Sequence, residues 1–305
     1  MNKVNLCWVI SDGRKGHEIQ SMTVANQIAQ QVKKLTFQST WLQKLSAPRT
    51  LGHQLQKTIW LKEHPDFTQP PQIIISCGRQ AAAAAKIIKN QTGCKHIQIL
   101  NPKGNLTDYD LLLLPKHDAV HGDNICCFTG SIHNIKPNHS DDNATVAVIL
   151  GNPEKGYWEK QWINDWKHIQ QLTYDITICG APRLSQQAKS LIRKTVQIDS
   201  LNVWLDDSDG ENPFGKLLSE AGIFYVTADS VNMVNECLAT GKDVNLLATH
   251  NAHSNRHLNF IQSVQTHLSD RQRGDNKPWP NPIEEITRCE KFQNLLNSPS
   301  SFNKG

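Results

Sequence analysis

The chain has 305 residues, enough for about two domains, with 38% hydrophobic and 20% charged residues. Lys and Arg total 32 against 28 Asp and Glu, and the net charge of +4 is too small to predict nucleic-acid binding. No stretch approaches the ~20 apolar residues of a membrane span, and eight cysteines without a CxxC pair indicate a reducing compartment, so we expect a cytoplasmic protein.

In the first half of the chain, short apolar runs alternate with segments of helical period, a pattern typical of a parallel sheet covered by helices. The predicted strands are Val4–Ile10, Gln72–Cys77, His96–Leu100 and Leu111–Leu114. A helix is predicted to begin near His17 and to continue to Val32 on the spacing of its apolar residues. The alanine run at 81–85 predicts a second helix.

The same pattern restarts in the second half, with predicted strands Thr145–Leu150, Asp175–Cys179, Phe224–Thr227 and Val244–Ala248. The polar stretch Ile135 to Asn143 predicts an exposed linker. We therefore predict an N-terminal domain at 1–140, a C-terminal domain at 144–285, and a C-terminal helix with a frayed tail at 286–305. Two such sheets joined by a linker predict a cleft, with ligands at the carboxyl ends of the strands.

The turn after the first strand is a candidate binding loop because Gly13 and Gly16 allow close backbone approach to a ligand. The helix that begins near His17 would offer free N–H groups to an anion, and Asp12 lies in the same turn. Neither a GxGxxG fingerprint nor a P-loop is present. A tight strand-to-helix turn without a ligand remains the alternative.

Two further turns carry polar candidates. Gly78 and Arg79 follow a predicted strand, and an arginine at a helix start opposes the dipole preference unless a phosphate or acidic partner is present. A surface arginine is the alternative. His117 and Asp118 follow another strand and could transfer a proton or hold a hydroxyl, although adjacent residues usually point in different directions. A loop of solvated polar residues is the alternative there.

The segment from Phe224 to Glu236 is the richest in candidates. Asp229 or Ser230 is expected to cap the following helix. Met233 and Glu236 lie at helical spacings from Asp229, so a carboxylate there could reach a ribose while the helix N-terminus receives a phosphate. A normally capped helix with one exposed glutamate is the alternative. His250, His253 and His257 have no ligand partners at zinc-site spacing, so we expect no metal.

The run from Val226 to Glu236 (VTADSVNMVNE) resembles the signature of the mitochondrial-fission, or elongated-mitochondria, family. Other family blocks lie earlier in the chain and in the family's order. They are Ser11-Asp12-Gly13, Cys77-Gly78-Arg79, Pro115-Lys116-His117-Asp118 and Gly210-Glu211-Asn212-Pro213-Phe214. The resemblance extends from Val9 to Leu295. That family is similar to glycosyltransferases of the GT-B architecture, including the enzyme that adds N-acetylglucosamine to the lipid-linked peptidoglycan precursor.

The resemblance implies an α/β protein with two Rossmann-like domains facing across a cleft, the C-terminal one holding a nucleotide sugar. It places the sugar near Glu211 and Asn212 and the ribose near Glu236. Gly151 and the turn Thr227–Ser230 would face the diphosphate, with Met233 nearby. His17 is the candidate general base, and Asp118 is a second catalytic candidate.

The chain departs from the family pattern at three positions. Asn152 replaces a second glycine, Gln80 replaces an arginine, and an arginine pair is reduced to Arg183. The last change weakens the expected neutralisation of phosphate.

We therefore expect a glycosyltransferase that moves a sugar from a nucleoside diphosphate sugar to an unknown acceptor hydroxyl in cell-envelope or glycan synthesis. A UDP-type donor is favoured, and no cofactor or metal is required. The acceptor could be lipid-linked or an envelope glycan, and a peripheral location at the inner membrane stays open because weak attraction to acidic lipid is allowed.

The alternative is a non-catalytic interaction protein of the mitochondrial-fission family that keeps the fold. An NAD-dependent sugar epimerase is not favoured, because the dinucleotide fingerprint is missing. A mitochondrial location is not expected, because the N-terminus lacks an Arg-rich amphipathic segment.

Overall fold

The chain folds into two α/β units, each built on its own parallel or nearly parallel sheet. The structure, a computed structural model, describes residues 3–52, 54–137, 145–172, 174–196, 202–250, 254–274 and 278–298. The first unit comprises the described parts of 1–134 and 281–305, and the second those of 135–280. Most of the predicted linker, at 138–143, lies outside the described residues.

The first unit has a seven-stranded sheet in the order β3-β2-β1-β4-β5-β6-β7. Its strands are β1 (Val4–Ser11), β2 (Ala29–Gln38), β3 (Ile59–Trp60), β4 (Ile73–Cys77), β5 (Lys95–Ile99), β6 (Leu111–Pro115) and β7 (Ile125–Phe128). All neighbours are parallel except β3, which runs antiparallel to β2. The order 3-2-1-4-5 is that of a Rossmann-like sheet, whose strand order reverses between β1 and β4.

Helices cover both faces of this sheet, as continuous apolar strands require. The helices of the first unit are α1 (Lys15–Ile28), α2 (Trp41–Ser46), α3 (Gly78–Thr92), α10 (Pro282–Arg288) and α11 (Glu290–Asn297). All five alanines at 81–85 are buried, and their small side chains let α3 pack closely on the strands. Gly93 ends α3 in the left-handed conformation that a C-terminal glycine commonly adopts.

The C-terminal segment packs on the first unit. Lys95 donates to the carbonyl of Leu295 at 2.7 Å, and Lys116 pairs with Glu285 at 2.6 Å. Ile286 joins the apolar core of this unit. The predicted second domain extended to residue 285, whereas the structure divides the chain after residue 280.

The second unit repeats the Rossmann-like order with a five-stranded, fully parallel sheet, β10-β9-β8-β11-β12. Its strands are β8 (Thr145–Leu150), β9 (Asp175–Gly180), β10 (Asn202–Trp204), β11 (Ile223–Thr227) and β12 (Asp243–Leu247). Its helices are α4 (Lys155–Lys160), α5 (Trp162–Ile169), α6 (Gln186–Thr195), α7 (Phe214–Glu220), α8 (Val231–Ala239) and α9 (Asn255–Gln272). Here the order reverses between β8 and β11.

The predicted α/β class with two Rossmann-like domains is confirmed, and all eight predicted strands are present within one residue at each end. The helix predicted to continue to Val32 is wrong only in its last turn, from Ala29 to Val32, because α1 ends at Ile28 and β2 begins at the next residue. No glycine or proline marks this change, and the apolar residues on both sides fit either period.

All eight cysteines are free thiols, and six of them are buried. Burial raises the pKa of Cys94 to about 11 and that of Cys179 to about 12, so these thiols stay protonated at neutral pH. None of the helices in the described residues combines the length and apolar character that crossing a membrane requires.

Candidate functional site

Two clusters of polar residues lie at the points where the strand orders reverse, one in each unit. In the first unit, the cluster joins the carboxyl ends of β1 and β4, which are neighbours in the sheet. In the second unit, it joins the carboxyl ends of β8 and β11. In open α/β sheets, ligands bind at such points. The strand order and the candidate residues found in the sequence therefore indicate the same two sheet edges.

In the first unit, the cluster consists of Asp12, His17 and Gly78. Nδ1 of His17 lies 3.2 Å from Oδ2 of Asp12, whose side chain is only 4% exposed. The imidazole also packs on Gly78, where an added Cβ would lie 2.5 Å from Cε1 of His17. Gly78 has φ of +79°, so both the backbone conformation and the close contact favour glycine.

The Asp12 carboxylate orients His17. Burial acts to raise the pKa of Asp12, but the hydrogen bond and charge of His17, together with Arg14, outweigh it and lower the pKa overall. An ionised Asp12 accepts a hydrogen bond from Nδ1–H, which leaves Nε2 as the acceptor nitrogen of the ring. His17 is 21% exposed, so this nitrogen can serve as a general base.

The turn before α1 does not offer all of its N–H groups to a ligand. The N–H of Gly13 donates to Ser11, and that of Arg14 donates to Asp12. Asp12 thus places the protein's own carboxylate beside the positive end of α1. Gly16 lies within the first turn of α1, which begins at Lys15, two residues earlier than predicted.

Arg79 has a hydrogen-bond partner within the protein itself. Its side chain is exposed, and its guanidinium donates to the carbonyl of Lys44 at 3.4 Å, near the end of α2. A cation at this position also complements the helix dipole of α2. The structure therefore gives Arg79 a partner that requires no phosphate.

His117 and Asp118 lie at the end of β6, with Nε2 of His117 3.8 Å from Oδ1 of Asp118. Contrary to our expectation for adjacent residues, the two side chains approach each other within the 3-10 turn at Lys116–Asp118. β6 is two strands from β4 in the sheet, a separation of roughly 10 Å from the His17 cluster. A direct catalytic role for Asp118 stays a prediction.

The cluster of the second unit begins at the turn after β8. The N–H of Gly151 donates to Oγ1 of Thr227 at 2.7 Å, and the N–H of Asn152 donates to Oδ2 of Asp229 at 2.9 Å. The Asn152 side chain accepts from the N–H of Ser185 at 3.1 Å. Asn152, which departs from the family pattern, therefore connects this turn to the N-terminal end of α6.

Asp229 covers Gly151. An added Cβ on Gly151 would lie 2.3 Å from Oδ1 of Asp229, so the absence of a side chain allows the carboxylate to pack on this turn. Asp229 is 2% exposed and pairs with half-exposed Arg183 at 2.7 Å. Oδ1 of Asp229 has no hydrogen-bond partner among the described residues. Arg183, the single remaining arginine of its block, is thus the cation at this turn.

The N-terminus of α8 lies directly after this turn. The prediction that Asp229 or Ser230 caps the helix is wrong. Ser230 occupies the N-cap position, but its side chain makes no capping hydrogen bond, and Asp229 is directed to Arg183 and Asn152. The first N–H groups of α8 therefore receive no side-chain cap, and they remain a potential anion site.

Glu236 lies on the second turn of α8 and is partly buried. Burial raises its pKa from 4.5 to about 7, and no hydrogen bond or ion pair of its side chain is present in the described structure. A carboxylate that is desolvated without compensation within the protein is a candidate for ligand contact. Met233, one turn earlier, is partly buried in the apolar core beside it.

Glu211 and Asn212 are not part of this cluster. Glu211 is exposed and lines a groove with Thr145, Asp175 and Asn202, the first residues of β8, β9 and β10. Asn212 accepts from the N–H of Phe214 and lies 3.8 Å from the Cys179 sulfur. These contacts account for Asn212 as a turn residue before α7.

His257 was considered in the sequence only as a metal ligand, and its structural role was missed. It lies buried in the first turn of α9, and its Nε2 contacts the carbonyl of Ala228 inside the candidate diphosphate turn. Ser254 accepts from the N–H of His257 and caps α9, and a serine ahead of a helical segment is a common signal of a helix start. His257 thus holds the turn in place.

Among the described residues, no group of three or more His, Cys, Asp or Glu side chains is arranged to hold a metal ion. Of the three histidines considered for a metal site, His253 lies outside the described residues. Beside the Asn152 turn there is a groove of about 860 Å³ lined by Asn152, Pro153, Trp158, Ser185 and Leu191, among others.

Together, the two sheets and their edge clusters define an α/β protein with two Rossmann-like units of the GT-B type. The family model described as mitochondrial fission ELM1 matches residues 15–289. The chain belongs to this mitochondrial fission ELM1 family, which confirms the resemblance found in the sequence.

Two relatives support this assignment. An uncharacterised protein of Rickettsia prowazekii is 24% identical over 314 residues, which cover 84% of this chain and 87% of that protein. The mitochondrial fission protein ELM1 of Arabidopsis thaliana is 23% identical over 216 residues, covering 57% of this chain and 51% of that protein. The match thus spans about half the length of the plant protein.

A similar fold occurs in the solved structure of the UDP-GlcNAc 2-epimerase from Methanocaldococcus jannaschii, with a TM-score of 0.50 and 10% identity. The match covers 93% of this chain and 98% of that one. At this identity, the likeness concerns the fold alone.

Proposed function

We propose that the chain is a glycosyltransferase that binds a nucleoside diphosphate sugar in its second unit and transfers the sugar to an acceptor hydroxyl. A UDP-type donor is favoured because the epimerase of similar fold is described as acting on UDP-GlcNAc. The acceptor belongs to lipid-linked or cell-envelope glycan synthesis. The proposal requires no metal, because backbone N–H groups and one arginine can stabilise the leaving diphosphate.

The observation that carries the proposal is the combination of an uncapped helix N-terminus and an uncompensated carboxylate on the same short helix. The N–H groups at the start of α8 point toward the edge where β8 and β11 end, and Arg183 reaches the same turn. Phosphate oxygens would accept from these donors.

Glu236 is then assigned to the ribose. A carboxylate one turn into the helix can accept from two vicinal hydroxyls, and this contact would offset the desolvation that raises its pKa to about 7. The ribose hydroxyls would bind the ionised form of Glu236, so nucleotide affinity is expected to rise with pH through neutrality.

His17 is assigned as the general base for the acceptor. Its Nδ1 is held by Asp12, which leaves Nε2 to accept the proton of the attacking hydroxyl. Asp12 then stabilises the imidazolium that forms, as an orienting carboxylate does in other His–Asp pairs.

A thermal-shift panel tests donor binding. UDP, GDP, ADP, CMP and their sugar conjugates are compared, with NAD as control. A ligand at about a hundred times its dissociation constant adds ~2.7 kcal/mol, which raises the melting temperature measurably. Stabilisation by one nucleotide family, lost in Glu236→Ala, supports the site. If nucleoside diphosphate is released only when an acceptor is present, the result supports sugar transfer. If an epimer of the sugar nucleotide forms without an acceptor, the proposed transfer reaction is replaced by epimerisation.

The second candidate is a non-catalytic interaction protein, as the family description suggests. It is favoured by the way the protein's own carboxylates fill both turns, Asp12 beside α1 and Asp229 on Gly151. No thermal shift with any nucleotide, with the fold intact by circular dichroism, would support this candidate and end the transferase proposal.

A further inference from the structure

One segment of the first unit is unusually basic and apolar at its surface. Residues 19–62 contain no Asp or Glu and six Lys or Arg. Eleven large apolar side chains are exposed in the described part of the chain, and six of them lie between residues 41 and 61. Contiguous exposed apolar groups of this kind mark interaction surfaces.

The short helix α2 displays the largest of these side chains. Trp41, Leu42 and Leu45 are 72%, 54% and 74% exposed. Their spacing of three and four residues places them on one face of the helix. Leu51, 69% exposed, follows in the next turn, where its carbonyl accepts from the Ser46 hydroxyl at 2.9 Å.

The position of α2 is determined by buried polar contacts. Gln43 forms a capping box with Thr40, and its amide donates to the carbonyls of Gly52 at 3.1 Å and Lys57 at 3.3 Å. Arg79 of α3 donates to the carbonyl of Lys44. The helix is thus fixed by its polar side while its apolar side faces solvent.

A groove of about 1250 Å³ adjoins this face, with Leu45 and Leu51 on one side and Arg49, Lys86, Lys89 and Lys103 among its lining residues. Lys86 and Lys89 are paired with Asp108 and Asp110 at 2.5 and 2.6 Å. The side chains of Arg49 and Lys103 have no acidic partner within the described residues, so two cations remain available to an anion.

We propose that this apolar–basic surface, formed by Trp41, Leu42, Leu45, Leu51, Arg49 and Lys103, docks the first unit onto a membrane that contains anionic phospholipid. The apolar side chains enter the boundary between headgroups and acyl chains, and the two cations meet headgroup phosphates. Apolar insertion combined with attraction to anionic lipid is the physical basis of peripheral binding.

The composition of the surface favours a bilayer over a protein partner. Protein interfaces typically have an apolar core and a polar rim, whereas residues 19–62 contain no acidic residue, and the nearby Asp108 and Asp110 are each paired with a lysine. A lipid surface is uniformly anionic and tolerates apolar groups of irregular outline. The inference does not depend on the proposed transferase activity, because it concerns a different edge of the first unit.

Vesicle flotation of the purified full chain tests the proposal. We expect binding to vesicles with roughly a third phosphatidylglycerol and little binding to pure phosphatidylcholine, because each Lys or Arg near an anionic surface contributes roughly fivefold. Binding should weaken as salt rises. The variant Trp41→Ser with Leu45→Ser should bind at least about tenfold more weakly, and Arg49→Gln with Lys103→Gln should lose much of the preference for anionic lipid.

Matched controls are Ile163→Ser and Leu258→Ser, which remove apolar side chains of 42% and 43% exposure from helices of the second unit. Both should bind vesicles like the parent, and all variants should keep the parent melting temperature. Absence of binding to anionic vesicles, or unchanged binding of the Trp41/Leu45 variant, overturns the proposal. If the parent self-associates but does not bind vesicles, and the Trp41/Leu45 variant no longer self-associates, the surface is assigned to a second copy of the chain. Displacement from vesicles by inorganic phosphate at low millimolar concentration assigns the groove to a soluble anion.

Discussion

Replacing Glu236 with glutamine should stabilise the second unit, and the gain should depend on pH. Burial raises the pKa of Glu236 from 4.5 to about 7, so between these values the folded protein holds a proton that the unfolded chain has released. Folding stability from this group therefore falls as pH rises through that window. At about 1.4 kcal/mol per pKa unit, the ionised carboxylate costs the folded state roughly 3 kcal/mol above pH 7.

Glutamine keeps the shape without the charge. We expect Glu236→Gln to raise the free energy of unfolding by about 2–3 kcal/mol near pH 8 and by little below pH 4.5. The measurement is urea unfolding followed by tryptophan fluorescence, because five of the eight tryptophans belong to the second unit. The control is Glu220→Gln on α7, where an exposed carboxylate pairs with Lys216 on the surface and a change within about 0.5 kcal/mol is expected.

The same substitution separates a functional carboxylate from a structural one. If Glu236 binds ribose, Glu236→Gln should stabilise the free protein while weakening nucleotide binding by roughly tenfold or more. Equal stabilities of parent and variant near pH 8, or a gain of the same size at both pH values, would refute the buried-charge reasoning.

Three further outcomes follow from the two clusters. His17→Ala should lower turnover by ~10²–10⁴ while leaving the nucleotide dissociation constant unchanged, as measured by calorimetry. Arg183→Ala should weaken UDP binding by roughly fivefold or more but leave uridine binding unaltered, since only the diphosphate meets the guanidinium. Gly78→Ala should lower unfolding free energy by about 1–3 kcal/mol, and His17→Ala added to it should recover part of that loss in a double-mutant cycle, because the new Cβ collides with the imidazole. A cycle with fully additive effects would contradict the contact.

Strands were predictable where burial on both faces makes the apolar run continuous, as in β4 and β6. β2 was not, because Lys33 and Lys34 interrupt it and because α1 runs into it without a loop. The return of α10 and α11 to the first unit also escaped the sequence, since contacts such as Lys95 with Leu295 join residues 200 apart.

The candidate residues were found in the sequence, but their pairings depended on strand order. His17 and Gly78 lie 61 residues apart and meet only because β1 and β4 are neighbours. Asp229 was predicted as a helix cap from its local position. Its carboxylate instead accepts hydrogen bonds from Asn152 and Arg183, which lie at the ends of other strands. His257 had no recognisable signal for its contact with Ala228, because that contact depends on how α9 packs.

The two units use the same device at the same topological position. In each, an aspartate at the carboxyl end of a strand, Asp12 after β1 and Asp229 after β11, is almost fully buried and contacts a nitrogen-bearing side chain, His17 or Arg183. In the first unit, this carboxylate orients the imidazole of His17 and is compatible with base chemistry. In the second, it occupies the turn where the proposed diphosphate would lie, so a bound phosphate would compete with Asp229 for Arg183. Because that competition would offset part of the gain from each phosphate contact, we expect the affinity for the proposed donor to depend more on Glu236 and the N–H groups of α8 than on charge neutralisation.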